Sequence, residues 1–258
     1  MRTSSFAGEL RQFVRDNGVY WTVLFCLNRA CRGLDKATEA RMSALERQRG
    51  LSGINTVARN RDLWDGYDWT EKGENWSPSP EWKQALIDEV LLANLEDGGD
   101  VIEIGPGAGR WTDALQARAR TLTLVDVSQT CLDMCRTKFT GAGNIRYLLS
   151  SGADLSGVED GSVDFIWSFD VFVHVSPADT EGYLRDFRRV LRPGGRAVIH
   201  HAKRGRSEGG YRSSMTAELF IALLKKHDLQ FLKQFDAWGP KGQFDVRLHG
   251  DAITVFGR

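Results

Sequence analysis

From Asp100 to the C-terminus, short runs of branched apolar residues alternate with longer stretches whose apolar positions recur every three or four residues. The short runs read as strands over 100–104, 121–127, 145–149, 162–171, 196–202, 229–238 and 251–258. The amphipathic stretches between them read as helices over 108–119, 128–139, 177–191 and 216–227, with Ser128 and Thr216 as caps and the turn "RPGG" after the third. Such alternation predicts an α/β fold, a mainly parallel sheet with helices on both faces. No helix separates the last two strands, so they can pair antiparallel at one edge.

Two regions precede this pattern. Residues 6–50 read as helical and separate: Leu10, Val14, Trp21 and Phe25, and in a second series Leu27, Cys31 and Leu34, recur at three, four or seven, accompanied by Arg11, Arg15, Arg29, Arg32 and Lys36. Such helices pack on the main domain or on a second subunit, as in a homodimer, or lie as a basic amphipathic element on a membrane surface through residues 6–36. Residues 61–82 read as a loop by composition, yet hold four of the eight tryptophans. These rings plug the outside of the core or form a lid facing a ligand. Ser79, Pro80 and Glu81 then open a helix that runs to Gly98 and Gly99. The expected organisation is an N-terminal helical extension over 1–60, an aromatic loop or lid over 61–82, and the main domain over 83–258.

Charge changes this picture at one end only. The 258 residues carry no net charge, which gives no field toward nucleic acid, but residues 1–60 hold ten Lys/Arg against five Asp/Glu. Cys26, Cys31, Cys131 and Cys135 form no C-x-x-C pair and no zinc spacing, as expected of reduced thiols in a cytoplasmic protein. The longest apolar run, "VYWTVLFCL", is shorter than a membrane span and poorly flanked for a signal peptide. The expected location is the cytoplasm, with peripheral contact at the inner membrane face if the N-terminal helix lies on lipid.

The candidate chemistry starts at "VIEIGPGAGRWT", Val101 to Thr112. A strand runs into Gly105, Gly107 and Gly109 and then into a helix, so a ligand can approach bare backbone. A dinucleotide fold prefers G-x-G-x-x-G, with glycine where this chain has Arg110. Asp126 ends the next strand, 19 residues after Gly107, where an acid can accept both ribose hydroxyls of an adenosine ligand.

Together with "LTLVDVS" (122–128), "GSVDFIWSFDVFVHV" (161–175) and "LRPGGRAVIHHA" (191–202), that stretch resembles the four ordered motifs of class I S-adenosylmethionine-dependent methyltransferases. The resemblance covers about residues 80–258. It implies a Rossmann-like seven-stranded sheet with an antiparallel last strand. It also implies that Glu103, Gly105, Gly107 and Gly109 hold the methionine end of S-adenosylmethionine. Asp126 and Val127 would then take the ribose, Ser151 and Gly152 would lie near adenine, and Ser168 would complete the site. Many relatives have Asp where this chain has Ser151; Asp154, three residues on, is the available substitute.

A hydroxyl attacking a methyl group needs a base, and open α/β sheets bind ligands at the carboxyl ends of their strands. Asp170 and His174 end one such strand, and His200 and His201 the neighbouring one. Two chemistries fit. His174 is a plain base with Asp170 orienting it or the acceptor, or Asp170 and the histidines hold a divalent metal that activates the hydroxyl. For the acceptor, Arg212 in "GYRSSMT" (210–216) can grip a hydroxyl or phosphate, and Trp69 and Trp76 can stack on a sugar face. "GRWT", "SFDVFVH", "IHHA" and "YRSSMT" further resemble methyltransferases of bacterial surface glycans and glycosylated metabolites. This implies O-methylation of a sugar hydroxyl on a glycan, glycolipid or glycosylated metabolite. The competing expectations are a small non-sugar acceptor, a phenol or amine, and a cofactor-binding or scaffold protein without turnover.

Overall fold

The structure is a computed structural model that describes residues 6–30, 35–205 and 212–258. Cys31, Arg32, Leu34, Gly210 and Tyr211 of the patterns above lie outside the described residues.

The helices are α1 (Phe6–Ala30), α2 (Asp35–Arg49), α3 (Val57–Asp65), α4 (Pro80–Leu86), α5 (Thr112–Gln116), α6 (Gln129–Lys138), α7 (Pro177–Val190) and α8 (Ala217–Lys226). The strands are β1 (Asp100–Ile104), β2 (Thr121–Asp126), β3 (Ile145–Leu149), β4 (Val163–Phe172), β5 (Leu191–Ala202), β6 (Gln230–Phe235), β7 (Ala237–Trp238), β8 (Phe244–Asp245) and β9 (Asp251–Gly257). Seven strands form one sheet in the order β3-β2-β1-β4-β5-β9-β6. The five on the β3 side pair in parallel; β9 pairs antiparallel with both β5 and β6. Here lies the topological switch. β1 and β4 are neighbours although β2 and β3 come between them in sequence, so their carboxyl ends border a crevice.

Alternation along each strand feeds two core layers. In β4, Phe165, Trp167 and Phe169 join a layer with Trp82, Leu86, Trp111 and Leu115. Ile166 and Phe172 join the opposite layer with Leu184, Phe187, Phe220 and Leu224 from α7 and α8. The central strands are buried almost throughout, as parallel strands covered by helices must be.

Several boundaries differ from expectation: the helix opened by Ser79 is α-helical only to Leu86, and α3 runs to Asp65 inside the expected loop. α5 starts only at Thr112, because Gly109, at φ 80°, holds the preceding turn out of the helical region. "RPGG" belongs to β5: the main chain of Gly194 and Gly195 bonds to Arg258, and Arg192 ties Asp164 to Asp100. The expected strand 229–238 splits at Asp236 into β6 and β7, and β7 pairs with β8 outside the main sheet.

The N-terminal helices fold back as a hairpin with its own small core of Phe13, Trp21, Met42 and Ile54. Gly18, at φ 79° and ψ 166°, breaks α1. The break leaves Asn17 free to exchange two hydrogen bonds with the main chain of Gly53, 2.8 and 2.6 Å. Trp21 Nε1 donates to the buried Glu46 carboxylate at 2.8 Å, and Arg47 donates to Ser214 O at 3.3 Å. The hairpin is therefore tied to the main domain. Its opposite face leaves Val19, Tyr20, Val23 and Leu27 exposed. Among the described residues, no helix is long and apolar enough to cross a membrane.

Replacing Asn17 by Ala leaves a buried N–H and a buried carbonyl unpaired, so it should lower stability by about 2–3 kcal/mol. Urea denaturation checks this. An unchanged midpoint would mean that the hairpin is not held through Asn17.

Candidate functional site

At the carboxyl ends of β1, β2 and β4 lies a cleft open to solvent. One half is built by the glycine turn and the residues after β2 and β3. Gly105 and Gly107 hold φ of 70° and 56°, where side chains are strained. A Cβ on Gly105 would lie 2.3 Å from Val171, and one on Gly107 would lie 2.7 Å from the Trp69 ring. The crowding at these two glycines thus comes from the chain itself. Gly109, at φ 80°, faces Phe139 instead.

Asp126, Val127 and Gly152 line this half. The Asp126 carboxylate accepts the Ser128 N–H at 2.9 Å, and burial pushes its pKa up to about 6. Glu103 is buried beneath the turn and does not line the cleft. One oxygen accepts from Thr112 Oγ1 at 2.6 Å, the other has no hydrogen-bond partner, and burial pushes its pKa up to about 7. Ser168 Oγ donates to Ile104 O at 2.9 Å and clips β4 to β1 inside the sheet. Ser151 is exposed and donates to Asp154 at 2.8 Å, so these two engage each other outside the cleft.

The other half contains Asp170, His174, Trp69 and Trp76. Asp170 sits where the β4–β5 register breaks, at φ 61°, an uncommon conformation for a non-glycine residue and a frequent one at functional sites. Arg110 ion-pairs with one carboxylate oxygen. His200 Nδ1 lies 3.2 Å from the other and 3.1 Å from the Asp170 main-chain nitrogen. Burial alone would raise the Asp170 pKa; the Arg110 charge and His200 outweigh it and hold the group well below the usual carboxylate range.

His200 is buried against Phe169, ring centroids 4.2 Å apart, and does not line the cleft. Its Nε2 lies 3.6 Å from Asp251, whose carboxylate binds Arg212 at 2.9 Å. Burial lowers the His200 pKa, but Asp170 and Asp251 together raise it above the ordinary value. Arg212, expected at the acceptor, is thus paired with Asp251 and does not line the cleft. His201 points to the opposite layer. It stacks on Phe220 at 3.9 Å, bonds Thr254 Oγ1 at 2.7 Å, and burial lowers its pKa to about 3. It is a neutral core residue, out of reach of the cleft.

The aromatic loop covers the site. Trp64, Tyr67, Trp69 and Trp76 are in mutual contact, with centroids 5.0–6.1 Å apart. Trp64 meets the His174 ring at 5.6 Å, and Asn60 Nδ2 donates to His174 O at 2.9 Å. Trp82, by contrast, plugs the core against Trp238 and Phe169. Trp82 is thus a core residue, whereas Trp64, Trp69 and Trp76 line the cleft. Arg110 joins the two halves: its guanidinium packs on Trp111 and Trp76, at 4.5 and 5.5 Å, and donates to Gly73 O in the loop at 3.1 Å. In the sequence Arg110 stands out as a departure from a glycine pattern and within "GRWT", and Trp64 only as one of the four tryptophans of 61–82. Their partners here, Asp170, Gly73 and His174, are not legible, because they come from distant parts of the chain.

The residues fit S-adenosylmethionine: a glycine turn, a buried carboxylate at the second strand end, and an unpaired Glu103 oxygen beneath the turn. They do not fit a metal. Both Asp170 oxygens are engaged by Arg110 and His200, His201 faces away, and among the described residues no three His, Cys, Asp or Glu side chains are placed to share an ion.

Comparison with known proteins agrees with this geometry. Residues 102–199 match the family described as "Methyltransferase domain". A putative O-methyltransferase of Mycobacterium bovis (strain BCG / Pasteur 1173P2) is 34% identical over 127 residues, 46% of this chain and 54% of that protein. The demethylmenaquinone methyltransferase of Tropheryma whipplei (strain Twist) is 29% identical over 133 residues, 52% of this chain and 53% of that protein. The chain thus spans about half the length of these relatives. Among solved structures, a SAM-dependent methyltransferase from Leishmania major superposes with a TM-score of 0.64 at 13% identity, covering 78% of this chain and 82% of that one. The N-methyltransferase NodS from Bradyrhizobium japonicum, in complex with S-adenosyl-L-homocysteine, gives 0.60 at 18% identity over 78% and 98%. At these identities the structures share the fold.

Glu103 and Asp126 predict a pH dependence. Their folded pKa values, about 7 and about 6, lie above the ordinary 4.5 and 3.8. The folded chain therefore holds protons that the unfolded chain has released. Stability from these groups is full below pH 4 and is lost as pH rises through about 6 to 7. Thermal unfolding of the ligand-free protein should show this fall, and Glu103→Gln should flatten its upper part. A wild-type stability that rises across that window would contradict the assignment.

Proposed function

We propose that this chain, which carries a methyltransferase domain on the class I fold, transfers the methyl group of S-adenosylmethionine to a ring hydroxyl, with a sugar hydroxyl as the acceptor class. One observation carries the reading: Asp126 and the glycine turn share a single cleft with Asp170, His174 and an aromatic wall.

When bound, the cofactor supplies a methyl group already activated on a sulfonium. The chain's own residues do the rest. Asp126 accepts the ribose hydroxyls, and the glycine turn brings main chain to the methionine end. The aromatic cover excludes water and presents flat faces to the acceptor ring. Arg110 and His200 keep Asp170 ionised, so it holds the acceptor hydroxyl in place and is a poor base. His174, on the cleft wall, is the group that takes the hydroxyl proton at its imidazole.

A planar phenol or quinol is the second reading, favoured by the enclosing indole rings and by the relative named demethylmenaquinone methyltransferase. Incubation with radiolabelled S-adenosylmethionine and a panel of glycosides and phenols separates the two. Transfer to phenols alone would overturn the sugar reading. Binding of the cofactor with transfer to no acceptor would support a binding protein. His174→Ala should lower turnover at least ~10²-fold while cofactor affinity stays within about twofold. Near-normal turnover would remove His174 from the mechanism.

The proposal extends to location. After its break, α1 exposes an apolar face of Val19, Tyr20, Val23 and Leu27 that carries no charge, and the exposed Arg11, Arg15 and Arg29 lie on the same helix. Four side chains make a patch of roughly a few hundred Å², small against the ~800 Å² per partner of a stable complex. An anionic bilayer surface suits it better than a second copy. The protein should co-sediment with vesicles containing phosphatidylglycerol and much less with neutral ones, and Val23→Asp should abolish the difference. A concentration-dependent dimer with no vesicle binding would overturn this.

A further inference from the structure

Three aspartates line the cleft, and two have their roles set by neighbours. Asp170 is balanced by Arg110 and His200, and Asp126 accepts main-chain N–H. The third, Asp179 in the first turn of α7, has a different setting. Ser176 Oγ donates to Asp179 Oδ2 at 2.7 Å, and among the described residues Asp179 makes no ion pair.

Its surroundings define a slot. Gly152, at φ 95°, lets Val57 and Val127 converge: a Cβ there would lie 2.5 Å from Val57 and 3.0 Å from Val127. Val175 and Tyr183 continue the apolar lining beside Asp179. Two apolar walls with one carboxylate suit a flat heterocycle that presents an N–H donor. The other acids near this end do not serve, because Asp154 is turned to Ser151 and to the Ser156 N–H.

We infer that Asp179 reads the exocyclic amine of the cofactor's adenine and so discriminates a 6-amino from a 6-oxo purine. This rests on the S-adenosylmethionine reading above. A carboxylate accepts from the 6-amino group and is repelled by a 6-oxo oxygen, which donates nothing. Asn55 also lines the cleft, and an amide there is the neutral companion that can serve either edge.

Calorimetry with S-adenosylhomocysteine and its 6-oxo analogue, S-inosylhomocysteine, tests the assignment. The wild type should bind the 6-amino ligand at least ~10-fold more tightly, the scale of one charged hydrogen bond. Asp179→Asn keeps the size of the side chain and a cap acceptor for Ser176, and its amide can also donate. It should narrow the ratio to about twofold or less, chiefly by loss of 6-amino affinity. Asp154→Ala should leave the ratio unchanged. If the wild type binds neither ligand, the cofactor reading itself fails. If it binds the 6-amino ligand and Asp179→Asn keeps the full ratio, the inference fails. An equal loss of both ligands in Asp179→Asn would make Asp179 a support for α7, or a partner of Arg15 across the neighbouring cavity, and would also overturn it. Thermal melting of each variant confirms that the comparison is made on folded protein.

Discussion

The ion pair between Arg110 and Asp170 organises the site. Asp170 adopts a left-handed backbone conformation at a break in sheet register, which costs of order 1–3 kcal/mol for a non-glycine residue. The contacts of its carboxylate offset that cost. Arg110 holds one oxygen, and His200, itself held between two aspartates, approaches the other. Removing either partner of so enclosed a pair would leave a buried charge, a loss of about 3–5 kcal/mol. The pair also links three pieces of chain: the glycine turn, the end of β4, and, through Gly73 O, the aromatic cover.

This arrangement gives the cover a defined place. Boxed by Trp76 and Trp111, the guanidinium of Arg110 stands between the cofactor half of the cleft and the half lined by Asp170 and His174. A change at the glycine turn therefore reaches the cover both through Arg110 and through Gly107, which lies against the Trp69 ring. The N-terminal hairpin adds support from outside. Its core includes Ile54, and Asn55 and Val57, just beyond, line the cleft.

Much of the fold is legible along the chain, and its limits have physical causes. Parallel strands covered on both faces appear as apolar runs, so β1, β2 and β3 stand where the pattern puts them within a residue. "RPGG" looks like a helix stop because proline and glycine break local structure. Its extended pairing with Arg258 depends on a partner more than sixty residues away. The glycine turn and Asp126 are legible because position at strand ends places them at the cleft. The hairpin's attachment is not, because it runs through Gly53 and Ser214 rather than through any repeat.

His200 and His201 show the division most directly. Adjacent residues in a strand point to opposite faces, so only one of the two could approach Asp170. Sequence alone determined that two histidines end β5, that the glycine turn follows β1, and that an acid ends β2. All of these follow from local pattern and spacing. Only the tertiary structure decided which histidine meets Asp170, that Arg212 pairs with Asp251, and that Arg110 bridges the cleft, since each depends on side chains from distant segments converging in low-dielectric surroundings where charges must find partners.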